Sequence, residues 1–462
     1  MRLRIAFFTP LSPLQTALAD HSEGLLPYLA RDADLDLFID EGYQPSNPAI
    51  VDQFDIYPFT QFPRRATEYD LAVYVMGNNH DYHGYMHDLM RHYPGIVLLH
   101  DTDFQHYFIR RTLGHGNPDA YRAEMEYAYG LAGRYAADLF IAKKVDEIRG
   151  TFPLVERLLD WSYGAIVYNE YAYRDLRTRR PGSRIQNLPY HFYLPQGFPA
   201  KVDVAALRRR WGLSDAFVVG TFGLLIPDKR IEVCLRAFKR FLAVRPGAHY
   251  LLVGVHPESY DVPAMVAELG LEERVIATGW LPPVEFAQHL MVPDLAVHLR
   301  YPHIGGTLYT PLRLLGLGRP TILSEIEPLA GFPEGCCAKV PPGEGEEDLL
   351  LALMVRLAED KELRHRLGDN ARRFVQQHHD VVRVARQHLD LFAEMAAASA
   401  SPVPTASYWR RELIHETGAI LADWGLKAAS DSLLSPIARA IEEIFPLLPE
   451  TSIEEGDAED SH

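Results

Sequence analysis

Cysteine is almost absent. Cys234, Cys336 and Cys337 are the only three in 462 residues, too few for a disulfide framework, which points to a reducing compartment. Long apolar runs are missing too. No window is long and apolar enough to span a bilayer, and the apolar stretch inside Met1–Pro10 is too short for a signal peptide. The expectation is a cytoplasmic protein. An excess of positive charge is also lacking: 46 Lys and Arg against 62 Asp and Glu leave a formal charge of −16. That balance excludes nucleic acid as the main partner, because a phosphate-rich surface asks for a basic field. Part of the acidity is local, with Glu442, Glu443, Glu450, Glu454, Glu455, Asp457, Glu459 and Asp460 crowding the C-terminus. There is no repeat of solenoid length.

What is present is an ordinary globular composition, 47% hydrophobic and 23% charged, on a chain too long for one core. Apolar strand-like runs alternate with helical stretches. In the first half they are Ile5–Phe8, Leu35–Ile39, Leu71–Met76, Ile96–Leu99 and Ala165–Tyr168. In the second they are Phe217–Thr221, Tyr250–Val255, Val275–Thr278, Leu295–Leu299 and Thr321–Leu323. Such alternation predicts an α/β protein with two parallel sheets and crossover helices, each of about five strands. Prolines 189, 195 and 199 mark the join. The expected division is a first Rossmann-like domain over 1–195, a second over 196–375, and a helix over 376–397 returning to the first. A linker at 398–407, an amphipathic helical extension at 408–447 and an acidic tail at 448–462 follow. The extension could dock a protein partner, self-associate, or pack on its own body.

Ligands of open parallel sheets bind beyond the carboxyl ends of the strands. Five segments qualify. Thr9–Pro13 precedes a helix carrying Asp20, His21 and Glu23. Gly77-Asn78-Asn79 follows the run at 71–76, and His100-Asp101 the run at 96–99. Phe222-Gly223 precedes Lys229 at a helix start. Gly305-Gly306-Thr307 lies between a buried run and a helix, the layout that turns free backbone N–H groups toward an anion. His100 can donate or accept a hydrogen bond near neutral pH, and Lys229 can neutralise a diphosphate as a point charge. Asp101-Thr102-Asp103 matches the Asp-x-Asp pattern that holds a divalent metal on a diphosphate, a rival site. Histidines 80, 83, 87, 92, 100 and 106 match no zinc spacing and read as a solvated, partly aromatic surface. Arg174, Arg177, Arg179, Arg180 and Arg184 form a basic patch, either a solvated face or a contact for an anionic acceptor or a membrane surface.

Over residues 3 to 390 these segments resemble the retaining GT-B glycosyltransferases of family 4. Phe8-Thr-Pro-Leu-Ser-Pro13 with Ala19–Glu23, Gly77-Asn-Asn and Pro94–Asp101 are similar to the family's first-domain strand ends. Val219–Arg230 resembles its diphosphate loop, and Val253-Gly254, Gly279-Trp280-Leu281 and Leu314–Pro320 its later signatures. The resemblance implies two Rossmann-like domains facing across a cleft and metal-independent transfer from a UDP- or GDP-sugar to a glycan, lipid-linked or small-molecule acceptor. It implies no cofactor and no metal. His100 with Asp101 would stand at the reacting carbon. Gly223, Lys229, Gly305, Gly306 and Thr307 would hold the diphosphate, and Gly254, Gly279, Trp280 and Arg313 the base and ribose. Asp20, Asn78 and Asn79 would face the sugar and acceptor.

The chain departs from that pattern at several places. The family's glutamate pair corresponds to Gly305 and Arg313, and no carboxylate occurs between Tyr301 and Ser324. The arginine of the diphosphate loop is Leu224, and the glycine of the first loop is Ala17 or its neighbour. Each lost hydroxyl contact would weaken donor binding by about 1–3 kcal/mol. Two other readings follow: a catalytically silent GT-B module that binds a nucleotide, a glycan or a partner chain, and a metal-dependent enzyme of the GT-A type built on Asp101 and Asp103.

Overall fold

The computed structural model describes residues 2–303, 305–306 and 309–399, with side chains described to 397. Thr307, the extension at 408–447, the tail at 448–462 and the linker from 400 onward lie outside the described residues. The helix Val381–Ser399 runs through the first two positions expected to be linker.

Each apolar run noted above becomes a strand, and the strands form two sheets. The first contains β1 (Leu3–Phe8), β2 (Ala33–Ile39), β3 (Asp55–Pro58), β4 (Leu71–Met76), β5 (Gly95–Leu99), β6 (Ser162–Val167) and β7 (Ile185–Asn187), in the order β3-β2-β1-β4-β5-β6-β7. The second contains β8 (Val218–Phe222), β9 (His249–Val253), β10 (Val275–Ala277), β11 (Leu295–His298), β12 (Thr321–Ser324) and β13 (Ala338–Val340), in the order β10-β9-β8-β11-β12-β13. All pairs are parallel, with Ile5 opposite Leu71 in the first sheet and Val219 opposite Tyr250 in the second.

The expectation of about five strands per sheet needs correction to seven and six. The added strands, β3, β7 and β13, have three or four residues each and lie at or beside sheet edges. There one face or one side stays open, so no continuous apolar run is required. Central strands differ. Every residue of β4 and β5 is buried, because helices cover both faces and apolar side chains must then point both ways.

Strand order reverses between β1 and β4 in the first sheet and between β8 and β11 in the second. At such a reversal the following helices leave toward opposite faces and open a crevice at the carboxyl edge. The two lobes also share a core: Leu25, Leu26 and Leu29 of the helix Ala17–Leu29 belong to the same apolar cluster as Tyr309, Leu312 and Leu315 of the helix Tyr309–Gly316. The chain crosses between the lobes twice. Outward, His379 Nδ1 meets the Tyr190 carbonyl at 2.6 Å and the Phe192 N–H donates to the His379 carbonyl at 2.7 Å. On return, Phe392 and Met395 of the last helix enter the first lobe's core, where Met395 Cε lies 3.0 Å from where a Cβ on Gly164 of β6 would stand.

Candidate functional site

The second lobe supplies a cationic edge. β8 ends at Phe222, and the chain then turns through Gly223 (φ +85°) into a short 3-10 turn carrying Lys229. A Cβ on Gly254, at the end of neighbouring β9, would collide with the Gly223 carbonyl, so the close approach of these two turns depends on glycine. Gly279 bridges to Gly254. The carboxyl ends of β8, β9 and β10 are thereby brought together, and Trp280 beside them is 51% exposed. Lys229 is only 6% exposed. Its Nζ donates to the Phe222 carbonyl at 2.5 Å and lies 2.7 Å from where a Cβ on Gly223 would stand. Burial, and then the Arg300 guanidinium nearby, push its ammonium down to about 7. No carboxylate pairs with it among the described residues.

Facing this edge is the end of β5. The His100 N–H donates to the Met76 carbonyl of β4 at 3.0 Å. Its ring, 4% exposed, turns inward among His21 (4.4 Å between ring centres), Tyr168 and Tyr190, and Nε2 has no hydrogen-bond partner. Burial and then the charges of His83, His191 and His388 hold it well below the ordinary histidine range. Asp101 is turned differently. One carboxylate oxygen accepts from the Asn78 N–H at 3.1 Å, and the other lies 2.7 Å from where a Cβ on Gly306 would stand. Burial raises its pKa, against that backbone hydrogen bond and the charge of Arg300. Asp101 thus points toward the second lobe from the end of β5, one strand away from the reversal, with the His100 ring behind it.

Among the described residues several contacts cross the gap, and three sets bear on the site. The first is the glycine pair: a Cβ on Gly305 would collide with Thr102 Oγ1, and Asn169 Nδ2 donates to the Gly305 carbonyl at 3.2 Å. The second is ionic. Asp228 of the second lobe has Arg149 of the first at 3.9 Å and Arg300 of its own lobe at 3.7 Å. In the third, Arg313 Nη2 reaches Asp20 Oδ2 of the first lobe at 3.1 Å while its guanidinium lies 4.2 Å from the Tyr309 ring centre. Arg313 is 4% exposed. The two residues expected on ribose and on sugar are thus bound to each other, across the lobes.

The other expected residues are placed as follows. Asn79 caps the helix His80–Met90 by accepting from the Asp81 N–H at 3.0 Å, with Asn78 next to it at the strand end. The Asp101–Asp103 pair does not converge on one point: Asp103 accepts from Gln105 N–H at 3.0 Å and Gly150 N–H at 2.5 Å, and burial lifts its carboxyl to about 6. Among the described residues no three His, Cys, Asp or Glu side chains come together as metal ligands. The histidine-rich segment corrects the expectation of a solvated surface, since His83, His87 and His100 are buried. Helical spacing puts His83 and His87 on one face of their helix, and that face is the inner one. In the basic patch, Arg174, Arg179 and Arg180 pair with Glu170, Asp175 and Asp160. Sequence reasoning missed His21, His191 and His388 as neighbours of His100, and it missed Arg300 at the cationic edge. A histidine in a helix or a connecting segment, and a charge after a strand, carry no spacing signal that would have found them.

No protein-family model matches the chain. It is similar to the α-D-kanosaminyltransferase of Streptomyces kanamyceticus, 25% identical over 200 residues, which is 42% of this chain and 50% of that protein. It is also similar to a GDP-mannose-dependent α-(1-6)-phosphatidylinositol monomannoside mannosyltransferase of Mycolicibacterium smegmatis, 27% identical over 115 residues, or 25% and 30% of the two lengths. The match thus spans half or less of these curated relatives. Among solved structures, Anabaena HepE in complex with UDP-glucose superposes with a TM-score of 0.59 at 18% identity, over 86% of this chain and 100% of that one. Sucrose-phosphate synthase of Thermosynechococcus elongatus gives 0.58 at 18% over the same shares. WaaG, a glycosyltransferase involved in lipopolysaccharide biosynthesis, gives 0.55 at 13%, over 84% and 99%. The two-sheet architecture is that of the GT-B fold.

Proposed function

We propose that this GT-B chain is a glycosyltransferase that moves a sugar from a nucleotide-sugar donor to an acceptor hydroxyl, with retention and without a metal ion. The observation that carries this reading is Lys229, a buried amine with no counter-charge among the described residues, at the strand-order reversal of the second sheet. It stands opposite a first-lobe strand end that carries Asp101 and His100. HepE with UDP-glucose and the GDP-mannose-dependent relative support a UDP- or GDP-linked donor. In this reading the diphosphate lies on Lys229 and the Gly223 turn, and the base lies by Gly254, Gly279 and the exposed Trp280. The sugar then projects toward Asp101 and His100. As the bond from the sugar carbon to the diphosphate lengthens, negative charge grows on the leaving oxygen, where a preorganised cation stabilises it most. The departing diphosphate takes up the acceptor hydroxyl's proton on the same face, so a strong protein base is not required. The acceptor class stays as broad as a glycan, a lipid-linked or a small-molecule hydroxyl.

One observation favours a second reading, a nucleotide- or glycan-binding module without turnover: Arg313 is committed to Asp20 where a ribose-binding carboxylate would be expected. A donor panel with and without EDTA separates the two. Slow sugar release from one UDP- or GDP-sugar, insensitive to EDTA and lost in Lys229→Ala, is the expected outcome. Stabilisation by a nucleotide without any sugar release would favour the module.

A further inference from the structure

Arg300 lies outside the motifs described above, and the structure gives it a position with chemical consequences. It comes just after β11, the strand paired with β8 on the far side of the strand-order reversal. The pairing register sets Leu295 opposite Val219 and Ala296 opposite Gly220. Beyond the paired positions β8 turns at Gly223, and Leu224 is 52% exposed at the mouth of that turn. The Arg300 side chain is mostly buried, and its backbone N–H is fixed by Ser324 Oγ at 2.8 Å. On its own lobe it faces Lys229, His298 and Asp228. Across the gap it faces Asp101 and Arg149.

The carboxylates around it are engaged with other groups. Asp228 approaches at 3.7 Å, beyond hydrogen-bond length, and is shared with Arg149, which already pairs with Glu147 at 2.6 Å. His298 has neither ring nitrogen satisfied. Lys229 and Arg300 are both largely buried, and the two carboxylates near Arg300 are each shared with another partner, Asp228 with Arg149 and Asp101 with the Asn78 N–H, so a further anion would offset the cost of burying the two cations. A diphosphate carries the charge, and its paired oxygens match the guanidinium fork.

We propose that Arg300 is the second cation of the diphosphate site, holding from β11 the charge that Leu224 leaves out on β8. The proposal rests on the nucleotide-sugar reading and narrows it: Lys229 and Arg300 grip the two phosphates from the two sides of the strand-order reversal. Arg300 touches the leaving group directly.

The test is calorimetric titration of the full chain with inorganic pyrophosphate, UDP, GDP and ADP. Arg300→Gln keeps a polar group beside Asp228 while removing the charge. It is expected to weaken pyrophosphate and the preferred nucleoside diphosphate by about tenfold or more, the loss typical of a charge-assisted hydrogen bond. The ligand-free melting temperature should stay close to wild type. Adding Leu224→Arg to that variant should recover most of the affinity. Wild-type binding that survives Arg300→Gln unchanged overturns this proposal and leaves the donor reading standing. A double variant no tighter than Arg300→Gln overturns the equivalence of the two positions. A wild-type protein that binds none of the four ligands overturns both proposals.

Discussion

Lys229 is the residue with the clearest chemical consequence. With its ammonium at about 7 in the free protein, binding a diphosphate must draw in a proton wherever the amine is neutral. Affinity for the nucleoside diphosphate should therefore fall about tenfold per pH unit above pH 7, until the pH exceeds the value to which the bound diphosphate's negative charge raises the amine. Titration at pH 8 in two buffers of different ionisation enthalpy should show net proton uptake; none would mean that Lys229 is already charged. The same group affects folding with the opposite appearance. Its folded value lies below the unfolded 10.5, so the unfolded chain binds more protons between pH 7 and 10.5, and this group's contribution makes stability rise with pH there. His100→Ala should keep nucleotide affinity within about threefold, since the ring faces away from the cationic edge, yet lower turnover by about tenfold or more as support for Asp101 is lost. Unchanged turnover would remove His100 from the site. The place of Lys229 beside the end of β8 was legible in the sequence because a glycine turn after a buried strand fixes where the next helix begins. Arg300 was not, because a charge following a strand looks the same whether it meets water or a ligand.

At the level of elements, the helix Tyr309–Gly316 does two jobs that its sequence expressed only in part. Its apolar spacing identified it as a core helix, and Leu312 and Leu315 are indeed buried. Arg313 on the same helix was expected on a nucleotide, but the helix turns it toward Asp20 on the helix Ala17–Leu29. No local pattern could reveal this, because the partner lies 293 positions away. Removing one member of a largely buried pair leaves an uncompensated charge, at a cost of about 3–5 kcal/mol. Arg313→Ala should therefore lower the melting temperature well beyond an ordinary surface change. Arg313→Glu should be worse, and Asp20→Arg combined with Arg313→Glu should recover much of the loss. Additive effects in that charge swap, measured by thermal or urea unfolding, would mean that the pair is not a tie between the lobes. The parallel strands were legible because both faces are covered and demand apolar residues throughout, whereas the short strands at and beside the edges are under no such demand.

For the molecule as a whole, a histidine cluster lies where the first lobe, the outgoing crossing and the returning helix meet. His21, His100, His191 and His388 are all buried, around Tyr168 and Tyr190. Burial holds them below the ordinary 6.5, with repulsion from neighbouring histidines adding for His21, His100 and His191; His191 falls to about 3 and His388 to about 4. Their neutral forms are the folded ones, so stability is lost as pH falls below 6.5, at about 1.4 kcal/mol per pH unit for each histidine kept neutral. A melting curve measured from pH 7.5 to 5 should drop steeply, and His191→Phe should flatten it; an unchanged slope would show that the cluster is not buried. The central claim, that the second lobe's cationic edge receives the diphosphate of a sugar donor, is tested most directly by thermal shift with UDP- and GDP-sugars. Stabilisation by one of them, unaltered by EDTA and abolished by Lys229→Ala, is the expected result. Equal stabilisation of wild type and Lys229→Ala, or none of wild type by any donor, would contradict it.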